Sequence, residues 1–100
     1  MKPVFDWDPT KATANSRKHG VSFREATTVL ADPLSITVPD PDHSHDKERY
    51  IDVGLSARGH VLVVAYTERG IRIRIISASK ATAAERRRYE ESNLETTQDR

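Results

Sequence analysis

Cysteine is absent from this chain of 100 residues, which excludes disulfide staples, thiolate metal sites and thiol nucleophiles together. Glycine is scarce as well: of 4 residues, Gly20, Gly59 and Gly70 fall where a helix stop or a tight hairpin requires one. Hydrophobic residues make up 36%, enough for one modest core in a single domain. The longest apolar run, Val61 to Ala65, is far short of the ~20 residues that cross a bilayer. The opening Met-Lys-Pro-Val-Phe-Asp lacks the apolar stretch of a signal peptide. The expectation is a cytoplasmic protein with no membrane association, no metal and no cofactor.

Charge of one sign is also lacking, since the net charge is only +1, and its distribution carries more information than its total. Between Arg58 and Arg88 eight bases (Arg58, Arg69, Arg72, Arg74, Lys80, Arg86, Arg87, Arg88) face two acids (Glu68, Glu85). Residues 40–48 are acidic on balance. Within the basic region, Ile71, Ile73 and Ile75 alternate with Arg72 and Arg74. A period of two sends the isoleucines to a core and the arginines to the opposite face of a strand. There the guanidinium forks suit phosphate or carboxylate.

Val4-Phe5-Asp6-Trp7 reads as a short strand, with Trp7 as core. Asp8-Pro9 caps a helix that runs to about His19 and stops at Gly20, with Val21 supplying the hydrophobic contact of that stop. Ser22-Phe23-Arg24-Glu25 is a capping box opening a second helix, in which Phe23, Ala26, Val29 and Leu30 share a face and Asp32-Pro33 marks the end. The period then becomes two. Leu34, Ile36 and Val38, then Ile51, Val53 and Leu55, predict half-buried strands with Asp52, Gly54 and Ser56 turned away from the core. Val61 to Thr67 is continuously apolar and predicts the central strand. Thr82-Ala83-Ala84-Glu85 is a second capping box, launching a basic helix to about Ser92. The expected organisation is one domain over residues 1–93 and a disordered tail over 94–100. In fold class it is α+β: an antiparallel sheet of four to five strands, two N-terminal helices and one C-terminal helix, with one sheet face left for function.

The loop from Pro39 to Lys47 contains His43 and His45, a spacing that allows a metal site but reads better as a solvated turn. An arginine row on an open sheet suits nucleic acid, because phosphates provide most of the affinity for such partners. Metal-independent RNA cleavage also needs a base near the 2′-hydroxyl, a cation at the phosphorane-like transition state and an acid at the leaving oxygen. Arg72, Arg74 and Lys80 are the candidate cations; arginine holds its proton too tightly to be the base. His19 is the candidate titrating group, and its place at a helix C-terminus biases it toward proton donor; the simpler role is a cap on the last carbonyls. Lys18, Arg58, Arg86 and Arg87 are candidate RNA contacts, with a solvated helix face as the plain alternative for the last two. Tyr66 depends on register. A two-residue loop Arg69-Gly70 pairs it with Ile73 and sends it to the core, whereas a three-residue loop Glu68-Arg69-Gly70 sets it opposite Arg72, where it could stack on a base.

An ordered set of short motifs carries a family resemblance. Phe5-Asp6-Trp7-Asp8-Pro9 with Lys11, Asn15, Lys18-His19-Gly20-Val21-Ser22-Phe23, Ala31-Asp32-Pro33, Arg49-Tyr50, Gly54, Thr67-Glu68-Arg69, Ile73-Arg74-Ile75-Ile76-Ser77-Ala78 and Glu85-Arg86 together resemble the BrnT toxins of bacterial type II toxin–antitoxin systems. The resemblance implies a RelE-like ribonuclease fold, RNA as substrate and arrest of translation. It also implies a BrnA-like ribbon-helix-helix antitoxin as partner, with operator DNA bound only through that antitoxin. One position departs from the family: where an arginine commonly follows Ile-Ser-Ala, this chain has Ser79 and then Lys80. The departure supports a second reading, a toxin that binds antitoxin and co-represses without cleaving RNA.

Overall fold

The computed structural model describes residues 2–41 and 48–98, so the His43 and His45 turn lies outside the described residues. Strand β1 (Val4–Asp6) leads into helices α1 (Pro9–His19) and α2 (Phe23–Val29). Four strands follow, β2 (Ile36–Pro39), β3 (Arg49–Leu55), β4 (Val61–Arg69) and β5 (Arg72–Lys80), and helix α3 (Ala83–Gln98) closes the chain, six residues beyond Ser92.

The caps account for these boundaries. Thr10 N–H donates to Asp8 Oδ1 at 2.8 Å, and Gly20 ends α1 in the left-handed region with φ 69°. Thr82 and Glu85 form a reciprocal capping box: Thr82 N–H donates to Glu85 Oε1 at 2.7 Å and Glu85 N–H to Thr82 Oγ1 at 3.2 Å. At α2 the box is only half made. Glu25 N–H donates to Ser22 Oγ at 3.0 Å, but the Glu25 carboxylate turns away from the helix start to Ser56 and His60.

The sheet order is β1-β5-β4-β3-β2, with β4 central as its apolar run predicts. Strands β2 to β5 form an antiparallel meander, but β1 runs parallel to β5, so the sheet is mixed rather than antiparallel throughout. Two helices intervene between β1 and the meander, and this long excursion lets β1 return beside β5 in the same direction.

Helices α1 and α2 cover one face, where Val21, Phe23, Ala26 and Val29 pack against Leu62, Val64, Ile75 and Ala78. The indole of Trp7 is partly buried at the margin of this core and meets Phe23 edge-on at 6.1 Å. The phase of β3 is opposite to the expected one. Asp52, 2% exposed, and Gly54 and Ser56 lie beneath α2. Gly54 explains this, since a Cβ there would meet Ser35 Cβ at 2.8 Å and Val29 Cγ1 at 3.1 Å: the end of α2 and the turn after it rest directly on the sheet backbone. Ile51 and Val53 therefore join Ile36 and Val38 on the second face, in an apolar groove bordered by Glu85 and Arg88 of α3.

The β4–β5 hairpin follows neither register considered for Tyr66. Arg69 pairs with Arg72, leaving Gly70-Ile71 as the loop, and this register opposes Tyr66 to Ile75; a bulge at Ala65/Tyr66 shifts the pairs beyond it, so that Ala65 faces Ser77. Tyr66 is a core residue, 5% exposed, with its ring tilted 31° against that of Tyr50 at 5.8 Å, which removes it as a base-stacking platform. Burial, with the nearby charges of Asp52 and Glu68, pushes its hydroxyl pKa up to about 12.

Candidate functional site

The alternation in β5 places its arginines as expected. Ile73 and Ile75 turn to the core while Arg72 and Arg74 project from the opposite face, 62% and 52% exposed. Their anion is Asp6 on the parallel strand β1. Arg72 Nη1 stands 2.8 Å from Asp6 Oδ2 and Arg74 Nη1 3.4 Å from Asp6 Oδ1. Exposed pairs of this kind are worth only ~0–1 kcal/mol, so a phosphate can replace the carboxylate at little cost. Thr67 and Arg69 complete a depression around the two arginines.

The other candidate residues lie elsewhere. Lys18 and His19, in the last turn of α1, line a separate shallow site with Lys11, Ile76 and Ser77. Lys80 lies at the far end of β5, in a third depression with His60, Arg86 and Glu90. The four predicted catalytic residues are thus divided among three sites. Ser79, opposite Val63, is on the arginine face, whereas Lys80, opposite Leu62, belongs to the other; neighbouring strand residues point apart, so Lys80 does not occupy the position of a side chain at 79. Arg87 is exposed on α3, and Arg58 is exposed in the β3–β4 loop beside His60.

That loop carries one member of a pair absent from the sequence-based site, His60, whose partner is Glu25 of α2. His60 Nδ1 is 2.8 Å from Glu25 Oε2, and Ser56 Oγ donates to the same oxygen at 2.6 Å. The Glu25 side chain is 5% exposed and the imidazole 42%. Burial tends to raise the carboxyl pKa, but the hydrogen bonds from Ser56 and His60 and the charges of His60 and Arg58 outweigh it, and the net shift is downward. Ser56 Oγ accepts from the backbone N–H groups of Arg58 and His60, each at 3.2 Å, and Ala57 N–H donates to Thr28 Oγ1 at 2.8 Å. The loop carrying the imidazole is therefore fastened to α2. Glu25 reads from sequence as a capping-box member and His60 as a turn residue. The available signal was the position of Glu25 between the buried Phe23 and Ala26, where a carboxylate needs a partner.

A small α+β protein with an exposed arginine row and a carboxylate-held imidazole has groups that can hold an anion and move a proton. Residues 7–85 match the family model described as "Ribonuclease toxin, BrnT, of type II toxin-antitoxin system", and the chain belongs to that family. Among solved structures, the crystal structure of the Brucella abortus ribonuclease toxin BrnT is similar in fold, with a TM-score of 0.61. The two chains are 22% identical, and the match covers 82% of this chain and 97% of that one. No curated protein sequence matches this one. Among the described residues no helix is long and apolar enough to cross a membrane.

Proposed function

We propose that this chain is the ribonuclease toxin of a type II pair, RelE-like in architecture, cleaving RNA without a metal ion and so arresting translation in the cytoplasm. The observation that carries the reading is the Arg72–Arg74 row, exposed within the family-matched span and held, among the described residues, by the displaceable Asp6. Guanidinium groups there bind the RNA backbone, while Lys18, Arg58, Arg86 and Arg87 offer further cationic contacts around the sheet and His19 a hydrogen-bonding one. Its neutralising partner is a BrnA-like ribbon-helix-helix antitoxin, through which alone operator DNA is bound. Expression of the wild type should arrest growth, and Arg72→Ala or Arg74→Ala should relieve the arrest with the fold intact. Both variants remaining fully toxic would remove the arginines from the site.

Ser79 favours a second reading, a degenerate toxin that binds antitoxin but cleaves nothing, because its short side chain stands on the arginine face where the family commonly has an arginine. A Ser79→Arg variant that becomes toxic beside an inert wild type would decide for it.

A further inference from the structure

The Glu25–His60 pair has an arrangement that a purely structural hydrogen bond does not require. Glu25 is already satisfied in part by Ser56, yet a half-exposed imidazole is also directed onto it. An ionised carboxylate can only accept, so the proton on the Glu25 side of the ring sits on Nδ1. In the neutral ring this leaves Nε2 as an acceptor with a free lone pair. The depression that His60 lines also contains Lys80, from the end of β5, and Arg86, from the first turns of α3. Among the described residues neither cation forms an ion pair.

Three separate elements converge here for local reasons. Ala81 N–H donates to Val61 O at 2.9 Å, which brings the end of β5 beside His60. The Thr82–Glu85 capping box then starts α3 immediately, so Arg86 and Glu90, four residues apart, share the face that borders the imidazole. Ser56 N–H donates to His60 O at 2.8 Å and Gly59 N–H to Ser56 O at 2.9 Å, closing the loop that fixes the ring's backbone. His19, by contrast, has no carboxylate partner among the described residues.

We propose that His60 is the acid–base residue of RNA cleavage, that Glu25 is the positioning residue fixing its tautomer, and that Lys80 and Arg86 receive the scissile phosphate. The inference rests on the ribonuclease reading and assigns its chemistry to a site distinct from the Asp6 arginine pair. His60 Nε2 takes the proton of the 2′-hydroxyl, the 2′-oxygen forms a bond to phosphorus, and the bond from phosphorus to the 5′-oxygen breaks. Water supplies a proton to the leaving oxygen, and the resulting hydroxide takes back the proton held on Nε2. The products are a 2′,3′-cyclic phosphate and a 5′-hydroxyl, and the base is regenerated. Lys80 and Arg86 offset the charge of the phosphorane-like transition state. The charged groups near the imidazole are Glu25, on which the charge of Arg58 also acts, and Lys80, Arg86 and Glu90 in the same depression.

His60→Asn separates catalysis from architecture, because its amide nitrogen can take the place of Nδ1 and keep the bond to Glu25 while Nε2 is lost. With purified protein and RNA in EDTA, His60→Asn should lower kcat/KM by about 100-fold or more at an unchanged melting temperature. Any pH dependence that the base gives the wild-type rate should be missing from the residual activity of the variant. Glu25→Gln should lower kcat by about tenfold with KM nearly constant, since it touches the ring and not the RNA. His60→Asn cleaving within about threefold of a cleaving wild type would overturn the His60 assignment and leave the ribonuclease reading standing. Glu25→Gln with unchanged kcat would overturn the positioning role. Wild-type protein that leaves RNA intact would overturn both the ribonuclease reading and the assignment built on it.

Discussion

The side-chain amide of Asn15 pairs with the backbone of Ala78 as a neighbouring strand would. Asn15 Nδ2 donates to Ala78 O at 2.8 Å, and Ala78 N–H donates to Asn15 Oδ1 at 3.1 Å. A further bond from Nδ2 to Val21 O at 3.0 Å ties α1 both to its own stop and to the uncovered edge of β5. Asn15→Ala would leave these buried backbone groups without partners, at ~1–3 kcal/mol for each unsatisfied group. The expected loss of unfolding free energy is about 2–4 kcal/mol by urea titration; a loss below about 0.5 kcal/mol would contradict this role.

Gly54 is the second fixed point. An alanine Cβ there would fall 2.8 Å from Ser35 Cβ and 3.1 Å from Val29 Cγ1, atoms of the turn and helix that cover it. Gly54→Ala is expected to destabilise by about 1–3 kcal/mol, as overpacking does, despite alanine's better backbone entropy. Thermal unfolding of the variant tests the sign directly.

Acid should unfold this protein through Glu25 and Asp32. Burial raises each carboxyl, but donors reverse the shift: Ser56 and His60 for Glu25, and Leu55 N–H, the Tyr89 hydroxyl and Leu34 N–H for Asp32. Both folded-state values lie below the ordinary carboxyl values of 4.5 and 3.8, so their stabilisation is complete above those values and is lost as pH falls below them. Asp52 acts in the opposite sense: burial raises its carboxyl, so its unfavourable contribution is present near neutrality and is relieved on acidification. Asp32→Asn should therefore be less stable than wild type at pH 7, with the gap closing in acid, whereas Asp52→Asn should be as stable as wild type or more so at pH 7. Unfolding free energies measured from about pH 3 to 7 check both signs.

The Asp6 carboxylate competes with RNA for Arg72 and Arg74. Asp6→Asn should raise RNA affinity at low salt, and Arg72→Ala or Arg74→Ala should lower it and reduce the slope of log affinity against log salt by about one. Filter binding to a single-stranded RNA across a salt series measures both effects. Affinity indifferent to all three substitutions would place the RNA elsewhere.

Much of this fold is legible from short-range rules. The Asp8 cap, the Gly20 stop and the apolar run of β4 each follow from a few adjacent residues, and the structure has them where those residues predict. The failures come where a distant group decides the outcome. Nothing near β3 indicates that Gly54 admits a helix to the sheet, so the apolar alternation of Ile51, Val53 and Leu55 is easily assigned to the wrong face. The hairpin turns at Gly70-Ile71, one residue later than the two-residue loop Arg69-Gly70, which moves the partner of Tyr66 to Ile75, and the bulge at Ala65/Tyr66 shifts the pairs beyond it with no local turn signal. Among the candidate site residues, Arg72 and Arg74 are legible because their period is local. Asp6, their partner, is 66 residues from Arg72 in sequence, and Glu25 is 35 from His60. Identical capping-box signatures at Ser22 and Thr82 do different work for the same reason: only at Glu25 does the fold bring a histidine and a serine to the carboxylate.

The most direct test incubates the purified chain with single-stranded RNA in excess EDTA and identifies the ends of any fragments. The account predicts fragments carrying 2′,3′-cyclic phosphate and 5′-hydroxyl ends, formed by wild type and not by His60→Asn. RNA left intact at every protein concentration would contradict it.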